Sequence, residues 1–368
     1  MSDAPASVPE AASEPAQTAW LKDTLNLDPA GYAEPGTADG GAPGGEAPGG
    51  IGEFLESIKD AVVFDVESAV IGIEDLIGKH PAPAVIGASQ QKQADAKLEK
   101  MSDTDKAAYK KIVDKAGPKE KPYLAKGLAS GHSLSEISAF AAKIAGKGDQ
   151  WMQDNLSLTD DSHGKGIKQQ WQMSCNATAA QAVQGMFDPI YALKMHEDSP
   201  NLESVDEDDP ATKNPKLAAQ QKAMLEKVEP DGSAGEAHPI SNTDPTLAVG
   251  RWNTDLLNDV KDVTGVEYAS EKVATDEERA TKMTEMDKQL ADGNPVPIVI
   301  GDGAEDEFAH YVLVTSTNIG PPRTYTIHDP ASGNSYLRNE QQLKTGHIDV
   351  AGWNKLSAFE MPKPIPVK

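Results

Sequence analysis

The chain has 368 residues, enough to bury a core of ordinary size as two domains or as one domain with long appendages. Its formal net charge of −24 argues against nucleic acid or an anionic membrane surface as a partner, because both would repel it. The one cysteine, Cys175, excludes an internal disulfide and a thiolate-rich zinc site.

Residues 1–53 are rich in Ala, Pro, Gly, Ser and acids and end in the pairs Gly40-Gly41, Gly44-Gly45 and Gly49-Gly50. That composition buries too little apolar area to offset chain entropy, so a disordered tail is expected there. Its start carries neither a basic n-region nor an apolar h-region, and no secretory signal peptide is read in it.

From Phe54 onward Leu55, Ile58, Val62, Val66, Val70, Ile73 and Ile77 recur at helical spacing, which predicts an amphipathic helix over 54–78 that Pro81 and Pro83 break. Helices are expected over 90–100, 103–116, 119–130 and 134–145, the last opened by a capping box of Ser133 and Glu136. Gly117-Pro118, Gly131 and Gly146 punctuate them. Residues 54–150 therefore read as a helical region ahead of a second domain over 151–368.

That second domain is organised around Gln169-Gln170-Trp171-Gln172-Met173-Ser174-Cys175-Asn176. The small, Ala-rich run 176–183 reads as a helix start with Ser174 as its N-cap. A cysteine in the first turn of a helix sits in the positive end of the dipole, which favours its thiolate. The helical pattern is expected to continue over 186–195. An acidic run over 197–209 lacks the glycine and the twelfth-position glutamate of a calcium loop and reads as a solvated loop.

Further helices are expected over 254–263 and 275–292, the latter with Thr275 and Glu278 as a capping box. Residues 295–300 form a strand beside prolines, read as an edge strand or the first strand into the sheet. His310 follows, opening an apolar β-branched run, and a second short strand ends in His328-Asp329-Pro330 before the turn Ala331-Ser332-Gly333. Adjacent strands, one opening with His310 and the other closing with Asp329, would set an imidazole beside a carboxylate. A reactive thiolate needs such a histidine, and the histidine needs a third group to orient it. Neighbouring residues on a strand face opposite ways, so one of His328 and Asp329 points at the site, and Asp329 is the choice made here. His196 and His347 stand apart from any cluster and read as ordinary surface or packed histidines.

Cys175 and His310 are 135 residues apart, and Gln169 precedes Cys175 by six positions. The order and spacing of Gln169, Cys175, His310 and Asp329 resemble the papain-like cysteine peptidases, most of all their bacterial double-glycine leader peptidase branch. The resemblance covers roughly residues 165–362. It implies an α+β fold, with a helical layer carrying the nucleophile helix against an antiparallel sheet. It also implies Cys175 as nucleophile, His310 as general base and acid, Asp329 as the group orienting His310, and Gln169 as oxyanion donor. Asn176 stands where that branch usually has glycine, and no stretch nears eighteen consecutive apolar residues, so the membrane transporter usually fused to it is not expected.

The expected activity is a cysteine hydrolase acting on a protein or peptide, with no metal and no cofactor. An acidic chain without a signal peptide fits a bacterial effector or toxin made in the cytoplasm and exported by a signal-independent machine, with a secretion component or an immunity protein as partner. An amidase, deamidase or acyltransferase on the same Cys–His chemistry, and a catalytically inactive binding module, remain as alternatives. The chain has no Gly-x-Ser-x-Gly elbow, no phosphate-binding loop and no His-Glu-x-x-His.

Overall fold

Short polar caps and small residues delimit the helices that open the described part of the chain. In the computed structural model the described residues are 86–160, 164–171, 174–198, 214–226, 238–239, 248–249, 253–301 and 309–365. All described residues belong to one compact unit, His80–Lys368. The tail expected over 1–53, the helix expected over 54–78 and the acidic loop beyond residue 198 lie outside the described residues.

Helices α1 (Ala88–Lys100), α2 (Asp103–Lys115), α3 (Lys121–Ala129), α4 (Leu134–Ile144) and α5 (Asp149–Leu156) come first. Ser102 caps α2 by accepting from the Asp105 amide, and the Ser133–Glu136 capping box opens α4. Leu124, Leu128, Ile137, Phe140, Ile144 and Met152 form their shared core. This layer grips the end of the next helix, α6 (Cys175–Phe187). Lys126 Nζ donates to Met186 O at 2.6 Å and Ser130 Oγ to Phe187 O at 3.2 Å, where the carbonyls of a helix C-terminus lack intrahelical donors. Burial lowers the Lys126 pKa to about 8, against the raising effect of Asp188.

The helix expected to run on through 186–195 is two helices instead. Pro189 has no N–H with which to continue α6, and Asp188 Oδ1 accepts from the amides of Ile190 and Tyr191, both at 3.0 Å, to start α7 (Pro189–Asp198). After it come α8 (Pro215–Glu226), the two-residue strands β1 (His238–Pro239) and β2 (Ala248–Val249), then α9 (Asn253–Asp259) and α10 (Lys261–Thr264).

The sheet is built from β3 (Val266–Lys272), β4 (Val296–Gly301), β5 (Ala309–Asn318), β6 (Thr324–His328), β7 (Ser335–Asn339), β8 (His347–Val350) and β9 (Trp353–Pro364). Helix α11 (Asp276–Ala291) joins β3 to β4, and α12 (Glu340–Thr345) joins β7 to β8. The strand order is β3-β9-β4-β5-β6-β7 with β8 against β9, and every pairing is antiparallel. Residues alternate between faces along β5. Leu313 joins the core with Ala177, Ala180 and Val183 of α6, while Val312 and Val314 join Met283, Met286 and Leu290 of α11. The domain is thus a mixed helix and antiparallel-sheet, α+β structure, with one helical layer on each face.

Of the two positions expected for β4, an edge of the sheet or an entry to it, the edge is ruled out, since β4 lies between β9 and β5 in the middle of the sheet. Pro297 is accommodated there because it pairs only with Leu313 of β5, and β9 joins β4 from Ile298 onward. Likewise Pro362 and Pro364 of β9 lie beyond its stretch of pairing with β4. No helix among the described residues is long and apolar enough to cross a membrane.

Candidate active site

Cys175 is the first residue of α6 and is partly exposed, whereas the rest of the helix is largely buried among small side chains. The expectation that Ser174 caps the helix with its side chain is corrected: Ser174 occupies the N-cap position, but its hydroxyl makes no capping bond. Instead Ser174 Oγ is drawn to Gln221 Oε1 at 2.9 Å and accepts from the Trp171 amide at 3.1 Å. Asn176 Oδ1 accepts from the Ala177 amide within the first turn.

β5 and β6 are antiparallel neighbours, so the end where β5 opens is the end where β6 closes. His310 is the second residue of β5 and Asp329 the first residue beyond β6, and the two meet there. His310 Nε2 lies 2.6 Å from Asp329 Oδ1. Cys175 is near enough to raise the His310 pKa, and Nδ1 is the ring nitrogen of His310 not committed to Asp329. Burial opposes a charge on His310, but the bonds to Asp329 and Cys175 and their negative charge outweigh it and raise its pKa to about 10.

The Asp329 carboxylate is fully enclosed and fully engaged. Oδ1 also accepts from the Ala331 amide at 2.9 Å, and Oδ2 accepts from the Ser332 amide at 3.2 Å and from Ser332 Oγ at 2.6 Å. Burial alone would raise its pKa; the bonds from His310, Ser332 and the Ala331 amide overcome this and hold it below the usual carboxylate range. Asp-Pro-Ala-Ser-Gly folds this way because an Asp side chain readily bonds amides two and three residues ahead of it.

His328 takes the other direction. It is fully buried, with Nε2 at 3.1 Å from Ile167 O, and burial lowers its pKa to about 4, so it is neutral near pH 7. His196 packs against Ser157 O at 2.7 Å, and His347 is exposed at the start of β8.

Gln169 is buried and tied by its backbone to the Asp329 turn, its amide donating to Pro330 O at 2.8 Å. The same stretch pairs further along, with Gly166 N donating to Gly333 O at 2.7 Å and Ser335 N to Gly164 O at 3.1 Å. Residues 164–169 therefore form a ladder with 330–335. Gly166 is required in it, because a Cβ there would come within 2.6 Å of Leu158 O.

Two residues of the site had no clear signal in the sequence. Trp353 stacks on His310 with ring centroids 6.2 Å apart and planes inclined by 26°. It follows a turn in which Asp349, Ala351 and Gly352 all have positive φ, and Arg338 binds the carbonyls of Ile348 and Asp349 at the base of that turn. Gln221, in the polar helix α8, is fully buried against the chain that leads into Cys175. A lone tryptophan after a glycine and one glutamine among several carry no periodicity that would have marked them.

Among the described residues no group of three His, Cys, Asp or Glu side chains is placed to hold a metal ion. What the arrangement offers chemically is a thiol at a helix start, and an imidazole paired with a dry, charged carboxylate. No protein-family model matches the chain, and no curated protein matches it.

Proposed function

We propose that this chain is a papain-like cysteine hydrolase that cleaves peptide or amide bonds through Cys175, His310 and Asp329. The observation that carries the reading is the pairing of His310 Nε2 with the enclosed Asp329 Oδ1 at 2.6 Å, with Cys175 at a helix start and near enough to act on the charge of His310. The raised pKa of His310 keeps its imidazole protonated at neutral pH, ready to give a proton to a leaving group.

In this reading the Cys175 sulfur attacks the carbonyl carbon and the carbonyl electrons move onto oxygen. The Cys175 amide and the Gln169 side chain hold that oxyanion, an interaction typically worth about 2.7 to 4 kcal/mol per donor. His310 gives its Nδ1 proton to the leaving amine, and an acyl-enzyme forms. Water then attacks the thioester as His310 takes its proton, and the acid is released as the sulfur leaves with the C–S bonding pair beside the protonated His310. Asp329 keeps Nε2 protonated and Nδ1 aimed at sulfur throughout.

The test has two parts. Cys175 should react with iodoacetamide at neutral pH well ahead of free cysteine, and His310→Ala should remove that advantage. Wild type and Cys175→Ala should then be compared on a mixed peptide library by mass spectrometry, with cleavage products expected from wild type alone. A thiol no more reactive than free cysteine, with no product from either chain, would leave the inactive binding module as the better reading.

A further inference from the structure

Gln221 joins two residues that flank the proposed oxyanion donors. Its Oε1 lies 2.7 Å from the amide nitrogen of Gln170, the residue after Gln169, and 2.9 Å from Oγ of Ser174, the residue before Cys175. A backbone N–H only donates, so the atom facing Gln170 is the oxygen and the amide orientation is determined. The Ser174 hydroxyl proton has two acceptors at the same 2.9 Å, Gln221 Oε1 and Trp171 O, and Trp171 O also accepts from the Ser174 amide at 3.1 Å. On its other side Gln221 Nε2 donates to Gln181 Oε1 at 3.1 Å, inside α6.

One enclosed amide thus ties together residue 170, residue 174 and the body of the helix that starts at Cys175. α8 is itself held in place. Leu217 and Leu225 are in the core, Ala218 O accepts from Trp171 Nε1 at 2.9 Å, and the Asn214 amide donates to Gln170 Oε1 at 2.7 Å.

We propose that Gln221 is a positioning residue that sets the separation between the Gln169 side chain and the Cys175 amide, and so shapes the oxyanion site without governing thiol reactivity. The inference rests on the hydrolase reading above. Oxyanion donors act only within hydrogen-bond distance of the developing charge, and a displacement near 1 Å costs on the order of 100-fold in rate. His310 and Asp329, the other members of the proposed triad, are carried by β5 and the turn after β6 and make no contact with Gln221 among the described hydrogen bonds.

Two reagents separate these roles on the full chain. With p-nitrophenyl acetate the sulfur bonds to the acetyl carbon through a tetrahedral oxyanion, and p-nitrophenolate leaves with the C–O bonding pair. With iodoacetamide the sulfur displaces iodide directly and no oxyanion forms. Gln221→Met, which keeps the volume and removes the acceptor, is expected to slow acylation about 10- to 100-fold and to change alkylation by less than about twofold. Gln221→Glu retains an acceptor oxygen and should recover most of the acylation rate, since Gln181 can turn its own amide to donate.

Ser174→Ala, which deletes one of the two bonds, should give a smaller selective loss, and it decides the matter if thermal unfolding shows that Gln221→Met does not fold. Gln169→Ala should show the same selectivity as Gln221→Met. An acylation-to-alkylation ratio unchanged in both Gln221→Met and Ser174→Ala, or both rates falling together, would overturn the proposal. A wild-type Cys175 no more reactive toward iodoacetamide than free cysteine would overturn the hydrolase reading itself, and this proposal with it.

Discussion

His310 Nε2 stands 2.6 Å from Asp329 Oδ1, inside a turn whose own amides and hydroxyl already saturate the carboxylate. The carboxylate cannot rotate away without breaking those bonds, so the imidazole is held by a fixed acceptor. Cys175→Ala and His310→Ala are therefore expected to reduce hydrolysis to the same background, because the two groups act as one unit. Asp329→Asn should fall between Asp329→Ala and wild type. It keeps an acceptor for His310 but turns an NH2 toward the Ser332 amide. Rates with any substrate found for the wild type check this order.

The two buried histidines give stability opposite dependences on pH. His310 is raised to about 10, so its contribution is complete below its unfolded value near 6.5 and is lost as pH rises through about 10. Asp329 is held low, so its contribution is present above the ordinary carboxylate range and is lost as pH falls through its folded value. His328, lowered to about 4, must stay neutral to fold, and stability falls as pH drops from about 6.5 toward 4, by about 3 kcal/mol in all. His328→Gln, which can still donate to Ile167 O, should flatten that acid limb in thermal unfolding measured from pH 7 to pH 4. An unchanged limb would mean that other groups cause it.

Trp353 stacks on the His310 ring, an aromatic contact worth about 0.5 to 1.5 kcal/mol. Trp353→Ala is expected to lower activity roughly 5- to 10-fold and Trp353→Phe by less, with folding intact by circular dichroism. Arg338→Met acts one step further back. It leaves the carbonyls of Ile348 and Asp349 without their charged donor and should lower unfolding stability by about 2 to 3 kcal/mol.

Gly185 lets α6 approach the segment before the Gln169 ladder. A Cβ at that position would lie 2.6 Å from Leu158 Cδ1 and 2.8 Å from Leu158 Cγ, and Leu158 is fully buried. Gly185→Ala should destabilise the protein by about 1 to 3 kcal/mol through overpacking, read as a lowered denaturant midpoint. The double variant Gly185→Ala with Leu158→Ala should cost less than the sum of the two single variants, which a purely local effect on the helix would not allow.

Several features were determined by the sequence alone because they depend on neighbours a few residues away. The capping boxes of Ser133–Glu136 and Thr275–Glu278, the four helices between residues 88 and 144, and the helix starting at Cys175 are of this kind. So is the closeness of His310 to Asp329, since two short strands joined by a tight connection pair with each other and bring the start of one to the end of the other. The tertiary structure decided what depends on distant chain. It placed β4 in the centre of the sheet by bringing in β9 from the end of the chain, and the sequence signal at Pro297 pointed the other way. It turned the Ser174 hydroxyl from a cap into a partner of Gln221, 47 residues on, with the Trp171 amide donating to the oxygen in place of the helix amides. It also brought Trp353 onto His310 through a turn held by Arg338. Local patterns fix the conformation of a segment, but which segments meet is set by packing of the whole core, and no window of sequence contains that information.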